Sequence, residues 1–167
     1  MRRILWLAVA ALVFGSGFTV GAYFSPQDMS LVGHVYESPT TDAKIRMLLE
    51  EANLGGNEVE IGEITFPAVV NSGEHLHGAT EIFYILDGEV TFRFDDQTVV
   101  ASRGMTINIP PSVVHEVSSK DGARLITVFS PGGFYRYLEE MAAMTEAQFA
   151  DAALMQTLAE KYDIWPA

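Results

Sequence analysis

The chain has 167 residues, a formal net charge of −12 and no cysteine. That length suits one domain with a sizeable core. The acidic balance argues against a nucleic-acid binder, which needs basic patches, and against adsorption on an anionic membrane surface. The lack of cysteine rules out a disulfide framework, thiolate ligands and a cysteine nucleophile.

Arg2 and Arg3 are the only charged residues before Asp28, and the run Ile4–Phe24 carries no charge. Residues 1–24 therefore read as a hydrophobic helix, either a signal peptide cleaved after Ala22 or an uncleaved membrane anchor. Both readings place the body outside the cytoplasm, periplasmic, secreted or anchored facing the periplasm, with this segment as its one membrane contact. Without the first 22 residues the charge becomes −14, since two positives are lost from −12. Residues 25–42 read as a linker rich in Ser, Pro, Thr and Gly, with a short strand at Leu31–Tyr36. His34 lies there and is incidental.

A β-domain is expected over 43–131. Ile45, Met47 and Leu49 alternate as in a strand, and residues 53–57 read as a turn. The next strand, Glu58–Phe66, changes phase around Gly62, which suggests a β-bulge there. Residues 73–88 hold the most informative pattern, His75-x-His77-x3-Glu81 with Gly88 beyond it. Positions two apart on a strand share a face, so His75 and His77 can aim both imidazoles at one point. Imidazole plus carboxylate suits a first-row divalent metal. Ile82–Leu86 and Val90–Phe94 flank Asp87-Gly88, a hairpin signal.

Further strands are expected at Gln97–Ala101, Met105–Ile109, Val113–Val117 and Arg124–Phe129. Pro110 and Pro111 end the second of these, and His115 follows. If its strand neighbours the His75–His77 strand in a closed sheet, three imidazoles and one carboxylate surround one ion. Phe83 and Ile85 share the parity of the histidines, as do Met105, Ile107 and Ile109, so these five are expected to line an apolar cavity. Many short strands with Gly, Pro and Asp turns read as an all-β barrel or sandwich.

Residues 132–167 change character. Phe134–Ala143 reads as a helix with Phe134, Tyr137, Leu138 and Met141 on one face. Thr145 and Gln148 form a capping box that opens a second helix running to about Tyr162, with Phe149, Ala153, Leu154 and Leu158 available for burial.

The central residues resemble the cupin superfamily. Its first motif, Gly-x5-His-x-His-x3,4-Glu-x6-Gly, is matched at His75, His77, Glu81 and Gly88. Its second, Gly-x5-Pro-x-Gly-x2-His-x3-Asn, is matched at Gly104, Pro110 and His115. The chain departs from these motifs at Val69 and Ser112, where glycine is expected, and at Ser119, where asparagine is expected. The resemblance covers roughly 44–132 and implies a double-stranded β-helix, or jelly roll.

The resemblance also implies a metal site formed by His75, His77, Glu81 and His115, with one divalent transition metal per chain: Fe, Mn, Ni, Cu, Co or Zn. In quercetinase-like members the matching glutamate is both ligand and base, which makes Glu81 the candidate catalytic residue. Dimers are common in the family, so a homodimer is an expected assembly. The leading expectation is an exported, metal-dependent, dioxygenase-type oxidoreductase acting on a small organic molecule. A non-enzymatic metal or small-ligand sensor is the alternative. A metal-dependent lyase, decarboxylase or isomerase is a third reading.

Overall fold

The computed structural model describes residues 35–37, 43–49, 58–94 and 96–167. The residues expected to form an N-terminal helix, His34 and the turn expected at 53–57 lie outside them. Among the described residues no helix is long and apolar enough to cross a membrane.

The strands are β1 Val35–Glu37, β2 Lys44–Leu49, β3 Glu60–Phe66, β4 Val70–Asn71, β5 His75–His77, β6 Thr80–Phe94, β7 Gln97–Ser102, β8 Thr106–Ile109, β9 Glu116–Ser119, β10 Ala123–Ser130 and β11 Ile164–Pro166. Helices α1 Phe134–Ala142, α2 Glu146–Phe149 and α3 Ala152–Tyr162 lie between β10 and β11. One antiparallel sheet runs β1-β2-β3-β10-β6-β9-β4, and β7 and β8 also pair with β6. The fold is the expected all-β jelly roll, with the core on the concave face of this curled sheet. Strand β1 lies inside the stretch expected to be a linker and pairs with β2.

Strand β6 organises the rest. Its first half pairs with β10 and β8, and its second half with β7 and β9. Asp87-Gly88 is not the hairpin turn expected from the sequence. The register against β10 slips there, so Leu86 is an extra residue and the strand bulges without reversing. Gly88 holds φ 77°, the left-handed conformation that an Asp-Gly hairpin would also use. The partners on either side decide between the two outcomes. Because one residue is inserted, the buried parity changes from Glu81, Phe83 and Ile85 to Val90 and Phe92. The reversal comes later, between the paired residues Phe94 and Gln97.

The bulge expected at Gly62 also moves. Strand β3 is regular, with Glu60, Gly62 and Ile64 buried, and the slip lies in β2 between Met47 and Leu49, opposite Gly62. Gly62 faces inward because the Tyr135 ring occupies the space a side chain would need. The strand expected at Val113–Val117 begins only at Glu116, because His115 instead forms an isolated bridge to His75.

Beyond β10 there are three helices rather than two. The Thr145–Gln148 capping box forms, but its helix lasts one turn, to Phe149. Asp151 then takes extended backbone angles and caps α3 by accepting from the Ala153 and Leu154 N–H groups. A strong N-cap residue thus splits the apolar pattern into two helices. Leu158 and Ala159 are buried from α3, whereas Phe149 is 42 % exposed. Helix α3 ends at Asp163 in the left-handed conformation, which turns the chain into β11.

Candidate metal centre

The chain brings the three motif histidines together. His75 and His77 lie on β5, with Leu76 between them pointing away, as the two-residue period requires. His115 precedes β9 and exchanges two backbone hydrogen bonds with His75, each 2.9 Å. The ligand nitrogens of His75, His77 and His115 all lie within 4.8 Å of one another, so the three could hold a metal ion. Among the described residues no other such group of histidine and acidic side chains occurs. Glu81 reaches two of the three. Its Oε2 lies 3.1 Å from His77 Nε2 and 3.4 Å from His115 Nε2.

Each imidazole is oriented from behind by a backbone carbonyl. His75 Nδ1 is 3.0 Å from the Gly73 oxygen, His77 Nδ1 is 2.8 Å from Ala79, and His115 Nδ1 is 2.8 Å from Val113. A carbonyl only accepts, so each Nδ1 carries a proton and each neutral ring presents its Nε2 lone pair to the shared centre. His115 Nε2 is buried and, despite its nearness to Glu81, has no aligned hydrogen-bond partner. Converging lone pairs beside a carboxylate repel one another unless a cation or a proton lies between them. Two ligand atoms each about 2.1 Å from an ion and at right angles are about 3 Å apart, which matches the carboxylate–imidazole separations. The residues therefore fit a divalent transition metal.

The electrostatics show the same tension. Burial pushes the His75 pKa below the usual value, and the nearby His115 adds to this. Burial also pushes His77 down, but the hydrogen bond and charge of Glu81 outweigh it, and the net shift is upward. Glu81 is buried, which raises its pKa, yet the contacts from His115 and His77 hold it below the ordinary carboxylate range. Thr127, fully buried on β10, donates to Glu81 Oε1 at 3.4 Å. Sequence reasoning missed Thr127. Its one signal was a hydroxyl on the inward parity between Leu125 and Phe129.

Val69 and Ser112 occupy the motif positions where glycine is usual, and both adopt left-handed angles, φ 64° and 62°. The backbone of both motifs is thus kept without the residue that adopts it most easily. Ser112 N–H donates to the His77 carbonyl at 2.8 Å, which ties the second motif to β5. Ser119, where asparagine is usual, donates to the Glu89 carbonyl at 3.0 Å.

A cavity of about 640 Å³ adjoins the cluster and is lined by His75 and Glu81 at one side. Of the five residues expected to line it, Phe83 does so. Ile85 and Ile109 are fully buried in packed core, Ile107 is partly buried, and Met105 is 42 % exposed. The inward face of β8 is thus taken up by core packing. Helices and β11 supply the missing wall: Phe134, Tyr137 and Met141 from α1, Met155 from α3, and Ile164 and Trp165 from β11. Strand β11 pairs antiparallel with β5, so the chain's end lies beside the two ligand histidines. Gly78 N–H donates to the Asp163 carbonyl at 3.0 Å beside this pairing, and a side chain at Gly78 would meet the exposed Asp163 carboxylate.

Comparison with known proteins agrees with this geometry. The family model described as "Cupin domain" matches residues 58–129. No curated protein gives a match. Among solved structures, an RmlC-like cupin from Shewanella frigidimarina is similar over 65 % of this chain and 88 % of its own, with 24 % identity and a TM-score of 0.52. KdgF from Halomonas sp. is similar over 62 % of this chain and 92 % of its own, at 14 % identity and a TM-score of 0.52. The polyketide cyclase RemF from Streptomyces resistomycificus is similar over 59 % and 73 %, at 18 % identity and a TM-score of 0.52. At these identities the likeness concerns the fold. The matching family model over residues 58–129, both histidine motifs and a jelly roll that unites them together support a cupin superfamily protein.

Proposed function

We propose that this protein is a metal-dependent cupin enzyme, an oxidoreductase of the dioxygenase type, acting on a small and largely apolar organic molecule. The observation that carries this reading is the convergence of three carbonyl-oriented imidazoles and a buried carboxylate at the wall of a 640 Å³ cavity. His75, His77 and His115 would hold one divalent transition metal, with Glu81 as a further ligand. Such an ion supplies Lewis acidity and, if redox-active, electron transfer.

The chain's own residues supply the rest. The aromatic and aliphatic wall binds the substrate body and keeps water away, which strengthens electrostatic interactions at the centre. Glu81, held below the ordinary carboxylate range, is ionised at neutral pH and can accept a proton from a substrate hydroxyl at its carboxylate. Thr127, which donates to Glu81 Oε1, keeps that carboxylate aimed.

Support for work outside the cytoplasm comes from the charge-free run Ile4–Phe24 behind Arg2 and Arg3. Fractionation of cells producing the full chain tests this, and recovery in the cytoplasm would overturn it.

Oxygen uptake by metal-loaded protein with a panel of hydroxylated aromatic compounds tests the enzymatic reading. Uptake is expected with at least one compound, and Glu81→Gln should abolish it while the ion stays bound. Saturable binding without turnover under every metal would instead show a binding module.

A further inference from the structure

We infer that the cavity selects a ligand with an uncharged, apolar body and a single polar end, and that the C-terminal elements set this choice. The inference rests on the reading that the cavity beside His75 and Glu81 is the ligand site.

Its polar groups are unevenly placed. His75 and Glu81 belong to the metal cluster, and Glu74 is tied to Arg93 at 3.0 Å on an exposed surface. The wall contributed by α1 and α3 offers Phe134, Leu138, Met141 and Met155, with Tyr137 and Gln156 as its neutral polar members. Of the ten lysines and arginines, Arg2 and Arg3 fall outside the described residues, and none of the other eight (10 − 2) lines the cavity. A carboxylate, sulfonate or phosphate held against this wall would therefore meet apolar surface and no lining cation to pair with. A hydroxyl at the near end can donate to the Glu81 carboxylate.

The barrel alone does not impose this. Its contribution to the cavity includes all of the lining carboxylates and imidazoles, whereas the helices supply mostly apolar surface. The methionines add adaptability, since an unbranched thioether can repack against different ligand shapes. The cavity size falls within the range that encloses most of a drug-sized molecule.

The test uses the full chain with two probes that share one ring system: 2-naphthol, with a single polar end, and 6-hydroxynaphthalene-2-sulfonate, with a fixed charge at the far end. Calorimetric titration is run on metal-loaded and chelator-stripped protein. Binding of 2-naphthol should be tighter by at least about tenfold, equivalent to about 1.4 kcal/mol. Met155→Lys, which places a cation in the helical wall, should weaken 2-naphthol and strengthen the sulfonate. Gln156→Lys, at an exposed wall position, is the second variant should Met155→Lys not fold.

Equal affinities in the wild type, preference for the sulfonate, or an unchanged ratio in the folded lysine variant would overturn the inference. The two readings fail separately. Selectivity that persists in a protein unable to hold metal would sink the enzymatic reading alone. Metal-dependent turnover without selectivity would sink this inference alone.

Discussion

The two sides of the cavity are built by different rules. On the barrel side, His75, His77, Glu81 and His115 lie on or beside short strands whose two-residue period and cross-strand bridge fix their direction. On the other side, α1, α3 and β11 reach the cavity only because the chain returns after β10 and adds a final strand to β5. The barrel side therefore has little freedom to vary without loss of the centre. The helical side can change its surface while the ligands stay in place. In the proposed function, the first side carries the chemistry and the second the choice of ligand.

The largest expected effect is on the barrel side. His77→Ala or His115→Ala should weaken metal binding by more than the roughly 10- to 100-fold lost when a supporting residue is changed, as read by competition with a chelator. The affinity should also fall with acidity, because protons compete for the same nitrogens. His77, raised above the ordinary 6.5, sets where this begins, so the loss should start as pH falls through that raised value. The lowered pKa of His75 keeps it neutral to more acidic pH. A metal affinity flat from pH 8 to pH 5 would contradict ligation by these imidazoles, whose ordinary pKa is about 6.5.

Next comes the join between the two sides. Gly78→Ala should destabilise the fold by about 1 kcal/mol, since the exposed Asp163 carboxylate must swing aside, measured as a lowered urea midpoint. Asp163→Gly in that background should restore much of the loss, since it removes the overlapping carboxylate and suits φ 52°. Failure of this rescue would mean that β11 is not held where the structure places it.

A smaller effect belongs to Thr127→Val. It keeps the side-chain shape but removes the hydroxyl that donates to Glu81, and metal affinity should fall by about tenfold. An unchanged affinity would show that Glu81 needs no such support.

The smallest effect concerns Val69. This residue is 81 % exposed and sits at φ 64°, so Val69→Gly should relieve strain while losing little packing. A gain of roughly 0.5–1 kcal/mol is expected, net of the glycine's entropy in the unfolded chain. A measured loss would show that the valine side chain contributes packing that outweighs its strain.

The jelly roll and the histidine cluster were legible because both rest on short-period patterns. Alternation marks a strand, and His-x-His marks two side chains on one face. Asp87-Gly88 shows where this stops. The dipeptide announces a left-handed residue, and only the strands on either side of β6 determine that the chain continues through a bulge rather than reversing. Gly62 is similar: its break in pattern comes from Tyr135, far along the chain, filling the space above it.

The cavity was half legible. Phe83 followed from parity with the histidines, but parity alone could not show that Ile85 and Ile109 would be consumed by core packing. Nor could it show that residues after Pro131 would close the other wall. Asp151 was a readable N-cap, overlooked because the apolar spacing continued across it.

Metal stoichiometry tests the central claim most directly. The full chain is purified without chelator, equilibrated with divalent transition metals, desalted and measured by inductively coupled plasma mass spectrometry beside His115→Ala. The account requires about one ion per chain in the wild type and a large loss in the variant, since the ion would sit where the His115 Nε2 lone pair points. Metal far below one ion per chain, or equal metal in both proteins, would contradict it.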